Sequence, residues 1–288
     1  MTLGEAYREG LKRLREAGNE SPAFDASALF LKAFGLSRQQ RIVRSAEPAD
    51  AEKAEAYLSF ARERAEGRPL QYILGKWPFL GLELKVGEGV LIPREETELL
   101  VKTAVRLLAG TPEPHVADLC SGSGAVALGI ASLLPGARGA AAERYGAAFL
   151  YLEKNIRKTG LGVEPVKLDV LDPAAAGSFS GLDCIVSNPP YVESGELPRL
   201  QREVQWEPAE ALDGGADGLL FYRAIARNWI PALRPGGALA VEVGDGQAAA
   251  VASIFGAAGM ESVQAEEDFN GIPRVVSGRR ARTIGRQQ

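Results

Sequence analysis

The sequence predicts an α/β protein: a mostly parallel, seven-stranded sheet with helices on both faces, preceded by a small α-helical domain and a β-hairpin linker. Three observations predict it. Apolar residues recur at helical spacing up to residue 74. From residue 115 onward, short apolar runs alternate with amphipathic helical patterns, as parallel strands joined by crossover helices do. The last two strands follow one another too closely for a crossover and so form an antiparallel hairpin at the sheet edge. The chain has 288 residues, long enough for two domains, and is 46% hydrophobic, ample for a core. The predicted division is 1–74 helical, 75–92 hairpin linker and 93–288 sheet domain.

The elements follow in order. Leu3, Ala6, Tyr7, Leu11 and Leu14 lie on one face of a first helix that Gly18 closes. Ser21-Pro22 opens a second, with Ala26, Leu29, Phe30, Ala33 and Phe34 on its apolar face and Gly35 behind it. A third runs from about Pro48 to Gly67. The period then changes: Leu80, Leu82, Leu84 and Val86 alternate, and Gly87-Glu88-Gly89 turns the chain into Val90-Leu91-Ile92, a predicted hairpin. A helix follows through Leu99, Leu100, Ala104 and Leu107, its acidic start suited to the positive end of the dipole. Strands are predicted at His115–Cys120, Arg138–Glu143, Pro165–Asp169, Cys184–Val186 and Ala238–Val243, with two more near Glu261–Glu266 and Arg274–Gly278. The intervening helices are Ala125–Leu133, Gly146–Lys158, Leu219–Leu233 and Gln247–Ala258.

Composition excludes several functions. The net charge of −4 argues against a wide phosphate-binding surface. The two cysteines, Cys120 and Cys184, lack metal spacing, and His115 is the only histidine, so neither a metal site nor a His-based triad is expected. Charges in Met1–Arg8 fall where a signal peptide needs an apolar core, and no apolar run approaches the about 20 residues that span a membrane. The expected location is the cytoplasm, with no membrane partner.

Two motifs carry chemistry. Asp118-Leu119-Cys120-Ser121-Gly122-Ser123-Gly124 joins a strand to a helix, and its glycines admit a tight turn and a close ligand. Glu143 ends the next strand, where a carboxylate can take both hydroxyls of a ribose. This pair implies an adenosine-type cofactor, either a dinucleotide or S-adenosylmethionine. Asp169, ending the third strand, can accept an adenine amino group with Val170 against the ring; it can equally cap a helix before Pro173.

Asn188-Pro189-Pro190-Tyr191 follows the fourth strand and chooses between the cofactors. Proline cannot continue a central strand, so the tetrapeptide is a stiff loop at the carboxyl edge of the sheet, where open α/β sheets bind ligands. An amide or exocyclic amino nitrogen is a poor nucleophile because its lone pair is delocalised. Methylating it requires two acceptors for its N–H groups, and the Asn188 side-chain oxygen and the Pro189 carbonyl can supply them. Tyr191 can pack on the planar group. No strong base or metal is needed, because the proton can leave after the methyl arrives.

With these residues the chain resembles the amino-group S-adenosylmethionine methyltransferases, and more specifically the glutamine-N5 methyltransferases of peptide release factors, the PrmC/HemK family. Four further stretches carry the resemblance: Arg68–Gly75, Leu91–Arg94 with Glu96-Thr97-Glu98, Glu207-Pro208 with Ala211-Leu212 and Gly214–Leu219, and Asp268–Arg274. It covers about residues 20 to 278. It implies a Rossmann-like class I methyltransferase domain with S-adenosyl-L-methionine as cofactor and S-adenosyl-L-homocysteine as product. It also implies a protein partner, a class 1 release factor, methylated on the glutamine of its Gly-Gly-Gln motif.

Asn188, Pro189 and Tyr191 would be catalytic, and with Pro190 would hold the glutamine amide. Asp118, Cys120, Ser121, Gly122, Ser123, Gly124, Glu143, Asp169, Val170 and Asn188 would shape the cofactor site. Arg94 and Thr97 would line the substrate mouth. The helical domain either docks the release factor or only stabilises the fold. The family usually has Gly-Thr in place of Cys120-Ser121, and Asp-x-Ser in place of Glu143-Arg144-Tyr145, which bears on cofactor affinity rather than chemistry. Three alternatives remain: methylation of another protein glutamine, methylation of an adenine or guanine amino nitrogen in DNA or RNA, and a binding module on a degenerate methyltransferase fold. The acidic balance speaks against stable nucleic-acid binding.

Overall fold

The protein is described by a computed structural model covering residues 1–282. The chain divides into two compact units, one formed by Met1–Trp77 with Gln201–Trp206, the other by Pro78–Leu200 with the chain from Glu207 onward.

The first unit is helical: α1 (Leu3–Glu16), α2 (Pro22–Phe34), α3 (Arg38–Val43), α4 (Ala51–Ala65) and α5 (Leu70–Leu74). Thr2 and Glu5 form a capping box that satisfies free N–H groups at the start of α1. The core joins Leu14, Leu29, Phe30 and Tyr57, with the Phe30 and Tyr57 rings edge to face at 5.2 Å. Burying each of these side chains contributes roughly 1.5–3 kcal/mol. The third predicted helix starts later than Pro48, because Asp50 accepts from the Lys53 N–H at 3.0 Å and caps it. Helices α3 and α5 are additions: α3 buries no residue and so leaves no apolar periodicity to read. Gln201–Trp206 belongs to this unit through Glu203, whose carboxylate lies 2.5 Å from Arg64, itself paired with buried Asp25 at 2.8 Å.

Strands β1 (Lys76–Phe79) and β2 (Leu82–Lys85) form a two-stranded hairpin, and the division between the units falls inside β1. This corrects the predicted hairpin. The turn is at Leu80-Gly81, where both residues have positive φ (47° and 77°), as a two-residue hairpin turn requires. Residues 87–92, read as a turn and a strand, form no strand.

The second unit continues through α6 (Thr97–Leu107), β3 (His115–Leu119), α7 (Ala125–Leu133), β4 (Arg138–Glu143), α8 (Gly146–Thr159), β5 (Val163–Lys167), β6 (Leu182–Ser187), α9 (Leu220–Ala224), β7 (Leu233–Glu242), α10 (Ala248–Ala257), β8 (Met260–Glu267) and β9 (Pro273–Arg280). Among the described residues, seven strands form one sheet in the order β5-β4-β3-β6-β7-β9-β8. The first five are parallel, and β9 and β8 close the edge as the predicted antiparallel hairpin. Helices α6, α7 and α8 cover one face, packing on Val116, Ala141 and Val186. Helices α9 and α10 cover the other, packing on Ala117, Ile185 and Val241.

The helix predicted over 219–233 breaks. After α9 the chain widens into a π turn at Ile225–Trp229 and tightens into a 3₁₀ turn at Ile230–Ala232. Pro231 has no N–H to carry the ladder on, and β7 starts at Leu233 instead of Ala238. Strand β5 ends at Lys167, so Asp169 stands two residues past the strand instead of closing it.

Candidate active site

The strand order reverses at β3: β4 and β5 extend to one side of it, β6 and β7 to the other. The loops after β3 and β6 therefore part at the carboxyl edge and leave a crevice. A cavity opens there, walled by the turn after β3, the end of β4 and the loop after β6.

The turn after β3 forms the floor. Asp118 is buried, and its Oδ2 accepts the Ala127 N–H at 3.0 Å, tying the strand to the first turn of α7. Burial raises its carboxyl to about 8, against the pull of the Ala127 N–H and with a push from the Glu143 charge. Asp118 does not line the cavity; it holds the turn from beneath. Gly124, also outside the lining, caps α7 at φ 83°, and a Cβ there would fall 2.7 Å from Leu152 Cδ1. Cys120, Ser121, Gly122 and Ser123 face the cavity. Cys120 sits at φ 60° with a side chain, a conformation that favours glycine.

Glu143 ends β4 and faces the same cavity. Its Oε2 accepts the Gly122 N–H at 2.9 Å and its Oε1 the Tyr145 N–H at 2.7 Å. Burial raises its carboxyl, opposed by those two N–H groups. Asp169 and Val170 line the far wall. Asp169 Oδ1 accepts the Leu171 N–H at 2.9 Å and Oδ2 pairs with Arg144 at 2.9 Å; it closes a local turn and caps no helix, because the next helical turn begins only at Ala175.

Asn188 and Pro190 line the end of the cavity nearest β6. Asn188 Nδ2 donates to Thr97 Oγ1 at 3.2 Å, and among the described residues no donor reaches Asn188 Oδ1 or the Pro189 carbonyl. Tyr191 turns away from the cavity. Its hydroxyl lies 3.5 Å from Glu242 Oε1, and burial with that carboxylate raises the phenol. The loop after β6 returns against the tetrapeptide backbone: a Cβ on Gly214 would fall 2.7 Å from Tyr191 Cα, and one on Gly218 2.4 Å from the Tyr191 carbonyl oxygen. Only glycine fits this approach.

Thr97 is buried and bonds Asn188, while Arg94 lies outside the cavity lining and pairs with buried Glu207. The Ile92 N–H donates to the same Glu207 at 2.9 Å. Residues that sequence reasoning did not single out complete the walls: Val90, Tyr145, Leu168 and Phe221. Val90 belonged to a predicted strand; as irregular chain it instead lies over Gly122, 3.9 Å from where a Cβ would be. Glu242, buried at the end of β7, carried no local signal at all.

A glycine turn, an acidic residue ending the neighbouring strand and an Asn-Pro-Pro-Tyr loop at the switch point of such a sheet define a Rossmann-like methyltransferase of class I. The family model for the PrmC N-terminal domain matches residues 5–75, and that for the methyltransferase small domain matches residues 95–216. The chain is 38% identical over 277 residues to a release factor glutamine methyltransferase of Moorella thermoacetica, covering 95% of this chain and 97% of that protein. It is 39% identical over 270 residues to one from Geobacter sulfurreducens, covering 92% of each. The chain belongs to the release factor glutamine methyltransferase family. A solved T. thermophilus 16S rRNA N2 G1207 methyltransferase, in complex with AdoMet and guanosine, shares the fold. It is 21% identical, covering 71% of this chain and 49% of that one, with a TM-score of 0.51.

Proposed function

We propose that this protein transfers a methyl group from S-adenosyl-L-methionine to the side-chain amide nitrogen of the glutamine in the Gly-Gly-Gln motif of class 1 release factors. The observation that carries it is a pair of acceptors that no donor reaches among the described residues, Asn188 Oδ1 on the cavity wall and the Pro189 carbonyl next to it in the loop after β6, in a chain of this family.

The cavity suits the cofactor. Ser121 Oγ lines it as a buried polar atom without a partner, Gly122 leaves its floor open, and Glu143 offers a carboxylate to a ribose. Cys120, Ser123, Asp169 and Val170 complete the adenosine side, with Asp118 and Gly124 shaping the turn. Bound there, S-adenosylmethionine supplies an electrophilic methyl group. Asn188 Oδ1 and the Pro189 carbonyl accept the two N–H bonds of the glutamine amide and aim its nitrogen into the cavity. Pro189 and Pro190 fix the loop, so these acceptors are ordered before substrate arrives. Tyr191 backs the loop with its ring, and Thr97 holds Asn188. The nitrogen loses its proton after the methyl bond forms, toward the same acceptors and then water.

Residues 1–74 dock the release factor, 75–92 link, and 93–288 carry the chemistry; Arg94 braces Glu207 near the mouth. The reading puts the enzyme in the cytoplasm with its substrate. Incubation with labelled cofactor, release factor and duplex DNA together tests it: label is expected in the release factor, and label in the DNA alone would overturn the reading.

A further inference from the structure

Asn188-Pro189-Pro190-Tyr191 lacks two backbone N–H groups, because proline has none. Its middle therefore offers carbonyls but no donors, and is fixed from its two ends. At the start, the Ser187 hydroxyl of β6 donates to the Leu119 carbonyl of β3 at 2.6 Å. At the end stands a side chain that takes no part in the chemistry above. Gln247 lies just before α10, and its Nε2 donates to the Tyr191 carbonyl at 2.9 Å. Its Oε1 accepts the Gly244 N–H at 3.0 Å. A backbone carbonyl only accepts and a backbone N–H only donates, so these two contacts fix which way round the Gln247 amide sits. Glycines wall it in: a Cβ on Gly218 would fall 2.5 Å from Nε2, and one on Gly244 2.9 Å from Oε1. The Val192 N–H donates to the Leu212 carbonyl at 2.9 Å. The peptide joining Tyr191 to Val192 is thus held at both of its polar groups.

We propose that Gln247 is a positioning residue, whose side-chain amide anchors the Tyr191 carbonyl and so holds the Pro189 carbonyl where it accepts an N–H of the methyl-accepting amide. This role rests on the reading that the loop holds such an amide. Between the anchored peptide and the Pro189 carbonyl stand only Pro190 and Tyr191, and the Pro190 ring locks its own φ. Gly214 presses on the same stretch, where a Cβ would fall 2.9 Å from the Pro190 carbonyl oxygen. Little freedom is left while the anchor holds. Without it the Tyr191 peptide can turn, and the stiff Pro190 passes that turn to Pro189. Gln247 lies outside the cavity lining. Its loss therefore acts on methyl transfer and not on cofactor binding.

Two substitutions isolate the bond. Gln247→Glu keeps the shape of the side chain and still accepts the Gly244 N–H, but an ionised carboxylate cannot donate. Two oxygens then oppose each other where Nε2 met the Tyr191 carbonyl. Gln247→Met keeps the length and removes both polar contacts without adding charge.

Two readouts test this on the full-length protein. Tyr191-Val192 is the only Tyr-Val pair in the sequence. Labelling with ¹³C-carbonyl tyrosine and ¹⁵N-valine therefore gives one carbonyl-to-amide correlation, that of the anchored peptide, read without cofactor or substrate. Both substitutions should shift it. With S-adenosylmethionine and release factor, both should lower kcat about tenfold or more and leave the cofactor Kd within about twofold. A correlation unmoved in both variants, or wild-type kcat in both, would overturn the proposal. So would a cofactor Kd that weakens as much as kcat falls. If Gln247→Glu fails to fold, Gln247→Met decides by the same readouts. A shifted correlation in a protein that methylates no release factor would support the anchor and remove only the substrate.

Discussion

Gly122 donates its backbone N–H to Glu143 Oε2 at 2.9 Å, which ties the turn after β3 to the end of β4. Because Tyr145 donates to the other oxygen at 2.7 Å, the Glu143 carboxylate is held by two fixed donors before any ligand binds. A ribose would meet an acceptor already oriented. Replacing Glu143 with Ala removes both the acceptor and the tie. Calorimetry should find S-adenosylmethionine bound at least tenfold more weakly, about 1.4 kcal/mol. Unchanged affinity would take Glu143 out of the ribose site.

Asn188 has no comparable contact beneath the cofactor. Its nitrogen donates to Thr97, no donor among the described residues reaches its oxygen, and in the proposed reading that oxygen takes the substrate amide. Asn188→Ala should therefore cut kcat about a hundredfold while cofactor affinity stays within about twofold. Equal losses in kcat and cofactor binding would make Asn188 a cofactor residue instead.

Cys120 holds φ 60° although it carries a side chain. Left-handed backbone costs about 1–2 kcal/mol for such a residue and more for a β-branched one. Cys120→Gly should fold within about 1 kcal/mol of wild type, because relief of backbone strain offsets the lost packing. Cys120→Val should lose about 2 kcal/mol or more by thermal melts. The ordering Gly above Val is the test, and the reverse ordering would contradict a left-handed Cys120.

Asp118 links stability to pH. Its folded carboxyl, raised by burial to about 8, keeps a proton that an unfolded aspartate releases near pH 4. The folded state thus binds more protons across that window. The contribution is fully present below about pH 4 and is lost as pH rises through about 8. Glu143, also raised by burial, acts with the same sign. Asp118→Asn should make the fall in Tm between these limits shallower; an unchanged slope would mean that Asp118 is ionised in the folded protein.

Much of this was legible in the sequence where the signal is local. Strand β4 and helix α7 keep their predicted bounds, Arg138–Glu143 and Ala125–Leu133, because a short apolar run sets each of them. The failures are non-local or conformational. Nothing in Leu80 announces a positive φ, so the hairpin turn was read seven residues late. The chain after Ala224 has helical periodicity up to Pro231 but relaxes into a π turn. Thr97 was singled out, but only for the substrate mouth. Its bond to Asn188 joins residues 91 positions apart. Glu242 meets the Tyr191 hydroxyl only because β7 lies beside β6, which no spacing along the chain encodes.

If the acceptors at Asn188 and Pro189 hold a glutamine amide of a release factor, that amide alone takes up the methyl group. The most direct measurement is methyl transfer from labelled S-adenosylmethionine to purified class 1 release factor, with its Gly-Gly-Gln glutamine intact or changed to Ala. One methyl group is expected on the intact factor, located by mass spectrometry on that glutamine side chain, and none on the Ala variant. Equal labelling of both would contradict it.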